Sequence, residues 1–287
     1  MSRAAVPDLA VVVVNYNAGE YLSRCLESVY GAAGEASVEV VVVDNASRDG
    51  SATAAARRFP DIRVIGNEDN RGLSAALNQG IRGTRAPFVL LLNPDAEVVG
   101  GTLEGLLKVA RDHPRAGAVG PLIRNPDGTV YPSGRRFPSV GQAVGHALLG
   151  PFRPGNRFSR AYRMDDWDRT SERQVDWVSL ACMLVPRAAF EQVGLFDEDF
   201  FLYAEELDFC TRLGAAGWTV LFTPELEVVH EGGVSTGRSW RMTMEHSRGI
   251  YRYFAKHRAT GWRKVLLPPA WVVLRLRAVL ATLRGRQ

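Results

Sequence analysis

The chain has 287 residues, of which 46% are hydrophobic and 23% are charged, and its formal net charge is +4. This composition excludes a disordered chain, which has fewer apolar residues, and a polytopic membrane protein, which needs several long uncharged stretches. The length suits one large α/β domain with an appendage, or two domains. The charge is unevenly distributed: residues 238–287 contain 12 basic residues and one acid, Glu245, and carry +11, which leaves −7 on residues 1–237.

The three cysteines indicate the redox state of the cellular compartment in which the protein resides. They are odd in number, form no CxxC pair and lie among apolar neighbours, at Cys25, Cys182 and Cys210. This pattern favours reduced thiols in the core of a protein in a reducing compartment. The apolar run from Val11 to Val14 is too short for the hydrophobic region of a signal peptide, so we expect a cytosolic protein.

Buried strands and amphipathic helices alternate through the first 120 residues. Two continuous apolar runs, Leu9 to Val14 and Val38 to Val43, predict parallel strands covered on both faces. The segment between them has its apolar residues on one helical stripe and predicts a helix within 19–34. Further helices are predicted near 51–59, 73–81 and 103–111, and further strands at 62–65, 88–92 and 118–119. This alternation predicts an open, doubly wound α/β sheet with its site at the carboxyl ends of the strands.

The periodicity fades from Arg124 to Gln174, where Gly, Pro and Arg are frequent. A long irregular stretch inside a compact domain is typical of a binding loop or a lid. Ordered elements are expected again at 175–185, in a helix at about 205–216, and in two short strands at 219–222 and 227–229.

Oxygen ligands follow the predicted strand at 88–92. Pro94 turns the chain there and leaves Asn93, Asp95 and Glu97 as donors in the crevice. Mg²⁺ and Mn²⁺ bind one or two such carboxylates together with phosphate oxygens of a substrate. The alternative is an ordinary Asn-Pro-Asp turn, in which the aspartate caps the following backbone.

Three carboxylates lie within four residues of one another beside an aromatic cluster, at Glu205, Glu206 and Asp208. An apolar wall and a neighbouring like charge both raise the pKa of a carboxyl group, as a general base requires. Acidic residues in the first turn of a helix also stabilise its dipole, which is an equally good structural explanation. Helical spacing places Glu205 and Asp208 on one face and Glu206 about 100° away.

Two further polar residues end predicted strands. His230 precedes two glycines that allow close backbone approach, and Asp44 opens an Asp-Asn-Ala-Ser segment that is also typical of a helix N-cap. Each is ambiguous alone. The phosphate-binding loops GxGxxG and GxxxxGK[ST] are absent, so a nucleotide on this sheet would be held through carboxylates and a metal.

The motifs are more specific together than singly. In chain order they are Asn15-Tyr16-Asn17, Asp44-Asn45-Ala46-Ser47, Asn70-Arg71-Gly72 with Asn78 and Gly80, Asn93-Pro94-Asp95, the segment 194–198, the segment 203–208 with Arg212, and His230. Over residues 8–236 this ordered set resembles the family 2 glycosyltransferases of the GT-A fold. Within that family the chain is most similar to bacterial rhamnosyltransferases that extend polyprenyl-diphosphate-linked sugars in cell-wall or surface-polysaccharide assembly.

The resemblance implies a GT-A domain over residues 1–237, with a mostly parallel sheet flanked by helices, and a helical appendage at 238–287. Asp44 matches the aspartate that contacts the nucleotide base. Asp95 matches the last residue of the DxD-like metal motif, whose first aspartate is Asn93 here, and His230 matches a metal-contacting histidine of some relatives, so the implied cofactor is Mg²⁺ or Mn²⁺. The implied nucleotide-sugar site comprises Asn15, Tyr16, Asn17, Asp44, Arg71, Asn78, Asn93 and Asp95.

The resemblance also implies a reaction. Glu206 matches the catalytic base of the family, usually aspartate; because glutamate is one methylene longer, Glu205 stays as the alternative base. The expected activity is inverting transfer of L-rhamnose from a TDP-sugar to a lipid-linked saccharide. A galactofuranosyl- or other hexosyltransferase using a UDP- or GDP-sugar is the alternative within the fold. A non-catalytic carbohydrate-binding or scaffold protein is the alternative outside it, and the departures at Asn93 and Glu206 are its support.

The basic tail is predicted to be helical. Its first helix carries four cations within a narrow arc, at Arg241, Arg248, Arg252 and Lys256. The apolar stretch from Val265 to Leu283 contains two prolines and two arginines and is a poor membrane span. We expect it to anchor the protein on the anionic inner face of the cytoplasmic membrane. The alternative is a helix packed against the body or against a second subunit of a homo-oligomer, and no nucleic-acid-binding module is recognisable.

Overall fold

A mixed β-sheet forms the centre of the protein. The computed structural model describes residues 5–139, 142, 153, 155–233, 240–259 and 261–284, and within them ten strands form one sheet and two form a small second sheet. The strands are β1 (Leu9–Asn15), β2 (Val38–Asp44), β3 (Arg63–Gly66), β4 (Phe88–Leu92), β5 (Ala96–Val98), β6 (Ala116–Arg124), β7 (Val130–Tyr131), β8 (Gly134–Arg135), β9 (Arg173–Val175), β10 (Trp177–Val178), β11 (Cys182–Pro186) and β12 (Thr219–His230).

Helices cover both faces of this sheet. They are α1 (Glu20–Gly31), α2 (Ser51–Arg58), α3 (Leu73–Arg82), α4 (Thr102–Asp112), α5 (Arg157–Arg163), α6 (Arg187–Val193), α7 (Glu205–Ala215), α8 (Trp240–His257) and α9 (Leu267–Arg284), with a 3₁₀ turn at Gly261–Leu266. The three cysteines are buried free thiols, as the sequence predicts.

The parallel half of the sheet confirms the prediction from the apolar runs. All seven residues of β1 are buried, and β1 pairs in parallel with β2 on one side and β4 on the other. Alternate side chains of β1 enter two separate apolar clusters, Val12 in one and Val13 in the other. The register places Asn15 opposite Asp44, so the polar residues that end these strands meet at one edge of the sheet.

The other half departs from an all-parallel sheet. The strand order is β3-β2-β1-β4-β11-β6-β12-β5, and β11 is antiparallel to both of its neighbours. The two short strands expected near 219–222 and 227–229 are one strand, β12, whose register against β6 shifts between Thr223 and Glu227. The interruption includes Pro224, which has no N–H to donate to a ladder. Strand β5 was not predicted, because three residues are too few to show a period.

Cations of the first tail helix, α8, form ion pairs within the protein. The guanidinium of Arg252 pairs with Asp199, Lys256 Nζ lies 2.6 Å from Asp197 Oδ2, and Arg248 pairs with Glu245 within the helix. Tyr253, on the same helix, is fully buried in the core of the body. Three of the four cations therefore form ion pairs, and the side chain of the fourth, Arg241, lies outside the described residues. Helix α8 is therefore packed against the body, as in the alternative, while membrane anchoring by the stretch 265–283 stays a prediction.

Helix α9 packs along α8. The rings of Tyr251 and Trp271 are 5.1 Å apart, and Ser247 Oγ donates to the Leu274 carbonyl at 3.5 Å. Within the described ranges, no helix combines the length and the apolar character that crossing a bilayer requires.

Candidate active site

The end of β1 organises the first loop of the site. Asn15 is completely buried, and its Nδ2 lies 2.8 Å from Asp44 Oδ1, 3.0 Å from Ser47 Oγ and 2.8 Å from Ser51 Oγ. Asp44 itself is half-buried at the end of β2. Asn15 therefore holds Asp44 in place at the carboxyl edge of the sheet, and its own burial makes it a support for Asp44 rather than a direct contact for a nucleotide.

The two residues after Asn15 lie nearer the surface. Tyr16 is half-buried and Asn17 is exposed, with a left-handed backbone at φ +52°. Asn17 Oδ1 accepts a hydrogen bond from the Arg48 N–H at 2.7 Å, and the Asn17 N–H donates to Ser47 Oγ at 3.0 Å. The loops after β1 and β2 are thus joined into one rim.

Asn45 joins this rim to the loop before α3, a role that the sequence did not indicate. Its Oδ1 accepts from Asn67 Nδ2 and from the Arg71 N–H, both at 3.1 Å. Its Nδ2 donates to Asn70 Oδ1 at 2.9 Å and to the Gly72 carbonyl at 3.2 Å. The backbone of Arg71 is fixed while its side chain is exposed, so the guanidinium is available at the rim.

Asn78 is not where a nucleotide-sugar contact was expected. Its side chain is 1% exposed in α3, donates to the Phe196 carbonyl at 2.9 Å and to Glu198 Oε1 at 3.0 Å, and accepts from the Phe196 N–H at 3.0 Å. Both the Nδ2 and the Oδ1 atoms of Asn78 are therefore hydrogen-bonded within the protein. Asn78 is a structural tie between α3 and the segment that leads to Glu205, and we withdraw it from the ligand site.

Asn93, Asp95 and His230 meet although 135 residues separate the last two. Antiparallel pairing of β12 with β5 places His230 opposite Ala96, and the Glu231 N–H donates to the Asp95 carbonyl at 3.0 Å. His230 Nε2 then lies 3.1 Å from Asp95 Oδ1 and 3.1 Å from Asn93 Nδ2. Glu97, the next oxygen donor in the motif, instead pairs with Arg24 on α1.

This trio suits a divalent cation. One imidazole nitrogen faces a carboxylate oxygen and an amide at once, and it cannot both donate to the first and accept from the second. The 3.1 Å between His230 Nε2 and Asp95 Oδ1 is also about the separation of adjacent ligands around a cation bound at ~2.1 Å. No cluster of three or more His, Cys, Asp or Glu suited to a metal occurs in the part of the chain that the structure describes. The protein thus offers a partial ligand set, which substrate phosphate oxygens would complete.

Glu205 and Glu206 open α7 after an unusual turn. Glu205 is 3% exposed and Glu206 is half-buried. The Oε2 atom of each is buried and has no hydrogen-bond partner among the residues described. A buried polar atom without a partner costs about 1–3 kcal/mol, and such atoms in a native structure call for a functional explanation.

The two carboxyl groups differ in acidity. Burial and the charge of Glu206 raise the pKa of Glu205 well above its usual value. Burial also raises the pKa of Glu206, but the positive charge of Arg135 on β8 opposes this rise. A neighbouring cation favours the ionised form of a carboxyl group, which is the form that accepts a proton. Glu206 is therefore the better candidate base of the two, and Arg135 is a contributor that the motif analysis missed because it lies in the irregular stretch.

Two family models match the chain. Residues 10–172 match the model described as glycosyl transferase family 2, and residues 155–285 match the model described as glycosyl transferase family group 2. Together they cover the sheet, the candidate site and the C-terminal helices.

Two relatives match over most of both lengths. The N-acetylglucosaminyl-diphospho-decaprenol L-rhamnosyltransferase of Mycobacterium tuberculosis is 42% identical over 270 residues, which are 90% of this chain and 87% of that protein. The rhamnosyltransferase WbbL of Escherichia coli K12 is 23% identical over 255 residues, covering 86% of this chain and 93% of that protein.

Among solved structures, the mannosyltransferase PcManGT from Pyrobaculum calidifontis, in complex with GDP-Man and Mn²⁺, superposes with a TM-score of 0.59. The match has 20% sequence identity and covers 96% of this chain and 74% of that one. This likeness confirms the expected GT-A fold.

Proposed function

Because the chain belongs to glycosyl transferase family 2, we propose that it transfers L-rhamnose, with inversion, from a TDP-linked donor to a polyprenyl-diphosphate-linked saccharide. The observation that carries this proposal is the 42% identity with a rhamnosyltransferase over nine-tenths of the chain. The geometry supports it, because a nucleotide rim, a partial metal site and a poised carboxylate are all built from the matching motifs.

The proposed reaction is a single displacement. The acceptor hydroxyl oxygen forms a bond to the anomeric carbon as the bond from that carbon to the diphosphate oxygen breaks, and nucleoside diphosphate leaves. Glu206 takes the hydroxyl proton on a carboxylate oxygen, which increases the nucleophilicity of the acceptor. Burial and the charge of Glu206 raise the pKa of Glu205, which favours its neutral form beside this base. Attack and departure on opposite faces invert the configuration.

Asp95, His230 and the amide of Asn93 would hold Mg²⁺ or Mn²⁺. When bound, the cation supplies Lewis-acid stabilisation of the charge that develops on the departing diphosphate. Asp44, supported by Asn15, would meet the nucleotide base, and Tyr16, Asn17 and Arg71 would line the same rim. Asn93, which replaces the first aspartate of the family motif, keeps an oxygen ligand and removes one negative charge.

A transfer assay tests this function. The purified protein is incubated with Mn²⁺, a short-chain analogue of polyprenyl-diphosphate N-acetylglucosamine, and TDP-rhamnose or a UDP- or GDP-hexose in parallel, and the products are analysed by mass spectrometry. A product heavier by one deoxyhexose, formed from TDP-rhamnose alone, is expected. Transfer from a UDP- or GDP-sugar would instead assign a different hexosyltransferase, and binding without turnover of any donor would favour a non-catalytic carbohydrate-binding protein.

We further propose that the C-terminal helices hold the protein against an anionic membrane. Residues 246–287 contain no acid, and the junction before α9 exposes both charge and apolar surface. Val265 and Val272 are 68% and 55% exposed, and Lys264 and Arg275 are exposed near them. Near an anionic bilayer each such cation contributes about 1 kcal/mol, while the valines enter the interface.

Vesicle sedimentation tests the membrane proposal. A variant with Val265→Asp and Val272→Asp is compared with Val6→Asp, which places the same charge at a valine that is 62% exposed at the other end of the chain. We expect the double variant to lose binding to vesicles that contain phosphatidylglycerol and Val6→Asp to retain it. Equal sedimentation of both variants would contradict this surface assignment.

A further inference from the structure

The turn that leads into α7 has a strained backbone. Tyr203 and Ala204 both have φ of +71°, in the left-handed region that residues with a Cβ rarely adopt. Such a residue is strained and persists only where the surroundings enforce its conformation. Glu205 and Glu206 follow immediately, so the direction of both carboxylates depends on what holds this turn.

Helix α8 contacts the turn directly through a glycine. Gly249 lies in the helix interior, where glycine is less favourable than alanine. A Cβ on Gly249 would lie 2.2 Å from the Tyr203 carbonyl oxygen, 3.0 Å from its carbonyl carbon and 3.4 Å from the Leu202 carbonyl oxygen. Only glycine lets the two backbones approach this closely, so α8 packs against the strained turn itself.

Cations of α8 hold the residues before the turn. Arg252 Nη1 donates to the Asp199 carbonyl at 2.7 Å, and the same guanidinium pairs with the Asp199 carboxylate. Lys256 Nζ lies 2.6 Å from Asp197 Oδ2. The segment that enters the turn is therefore fixed to the same helix as the turn.

The last turn of α8 also holds the start of α7. Lys256 Nζ and His257 Nε2 each lie 2.7 Å from Asp208 Oδ1, and Arg212 Nε donates to Asp208 Oδ2 at 2.8 Å. Asp208 is fully buried, and burial alone would raise its pKa. The hydrogen bonds from Lys256 and His257 and the charge of Arg212 outweigh burial and leave the pKa of Asp208 below its usual value. A buried aspartate that stays ionised needs these partners, two of which come from α8.

We propose that α8 is a positioning element of the catalytic centre, in which Gly249, Lys256 and His257 hold the turn and the first turn of α7 so that Glu206 faces the acceptor. The helix acts on both sides of the base, at Tyr203 before it and at Asp208 after it. None of these three residues touches a reacting atom, and their role rests on the proposed function of Glu206. Helix α8 is then part of the catalytic apparatus, in addition to any role of the tail at a membrane.

A pair of glycine substitutions tests the contact. Gly249→Ala introduces the Cβ that collides with Tyr203, whereas Gly214→Ala, in α7, meets no atom within 4 Å. A displacement of about 1 Å at a reacting centre costs about 100-fold in rate, so we expect kcat to fall about 100-fold in Gly249→Ala with the KM for the donor changed less than twofold. Amide hydrogen exchange across residues 200–208, measured without substrate, should accelerate in Gly249→Ala and not in Gly214→Ala.

A second pair keeps the proposal testable if Gly249→Ala does not fold. His257→Leu removes the donor to Asp208, while His257→Gln offers an amide N–H at a similar reach. We expect kcat to fall in His257→Leu and to be largely restored in His257→Gln, with equal donor KM in both. Unchanged kcat and unchanged exchange in Gly249→Ala and His257→Leu would overturn the proposal, as would equal losses in the leucine and glutamine variants. Amide hydrogen exchange across residues 200–208 needs no substrate. If the wild-type protein fails to transfer rhamnose, the proposed function is refuted, but the exchange measurement still tests whether α8 holds the turn.

Discussion

His230 Nε2 lies 3.1 Å from Asp95 Oδ1 across 135 residues of sequence, because strand β12 pairs with the three-residue strand β5. Both side chains are largely buried, and Asn93 Nδ2 lies 3.1 Å from the same imidazole nitrogen. Asp95 and His230 would hold a divalent cation, and the phosphate oxygens of a nucleoside diphosphate would complete its ligands.

Asp95→Ala should therefore weaken TDP binding only when metal is present. Loss of a group that only hydrogen-bonds to a metal ligand typically lowers metal affinity about 10–100-fold. Loss of the carboxylate ligand itself should therefore lower the Mn²⁺-dependent affinity for TDP at least as much. Isothermal calorimetry with TDP, with Mn²⁺ and with EDTA, measures both affinities. Glu97→Ala is the matched control, because Glu97 pairs with Arg24 outside the site. A Mn²⁺-dependent affinity in Asp95→Ala equal to that of the wild type would exclude the metal site.

The acidic limb of the activity profile should report Glu206 and its neighbour Arg135. Burial raises the pKa of Glu206 and Arg135 lowers it, and the base acts only when deprotonated, so kcat/KM should rise with pH through that pKa. Replacing Arg135 with Gln removes the opposing charge and should move the limb to higher pH. Arg136→Gln, at the exposed adjacent position, should leave it in place. A limb that stays fixed in Arg135→Gln would show that another group titrates.

Glu205→Gln should stabilise the protein near neutral pH. The folded-state pKa of Glu205 is raised, so the folded state holds a proton that the unfolded state releases above about pH 4.3. The stabilisation from the protonated Glu205 carboxyl group is fully present below that pH. It is lost as the pH rises through the pKa that Glu205 has in the folded protein. Glutamine keeps the shape without this loss, so the gain in unfolding free energy over wild type should shrink as the pH falls towards 4. Urea unfolding at several pH values measures it, and a gain independent of pH would contradict the assignment.

Asn78→Ala should affect stability and not donor binding. The substitution leaves the buried N–H and carbonyl of Phe196 without partners, which costs about 1–3 kcal/mol of unfolding free energy. Chemical denaturation measures this loss, and calorimetry with TDP and Mn²⁺ should give the wild-type affinity. A selective loss of TDP affinity with unchanged stability would return Asn78 to the ligand site.

Local signals in the sequence were sufficient for the parallel strands β1, β2 and β4, whereas β6, predicted only at 118–119, spans Ala116–Arg124. The apolar run of β4 gave its bounds, Phe88–Leu92, without error, and β1 and β2 extend the predicted runs by only one residue each. Such strands are recognisable because burial on both faces makes every position apolar. Strand β5 carries no comparable pattern, and its existence depends on pairing with β12 far along the chain.

The same distinction applies to the site. Asp44, Asp95 and Glu206 could be named from motif order, because each follows a predictable strand or begins a predictable helix. The partners that define their chemistry could not, since Arg135, Asn45 and the contacts of α8 arise from packing between distant segments. The tail shows the same limit: its charge pattern predicted an amphipathic basic helix, but not the tertiary ion pairs of Arg252 with Asp199 and of Lys256 with Asp197.

The measurement that tests the central claim most directly is transfer by Glu206→Gln. Glutamine preserves the size of the side chain and removes the proton-accepting charge, so kcat for rhamnosyl transfer should fall by about 10²–10⁴-fold while the affinity for TDP with Mn²⁺ stays at the wild-type value. Quenched-flow transfer and calorimetry on the same preparation give both numbers. Wild-type turnover in Glu206→Gln, with normal TDP affinity, would contradict the account.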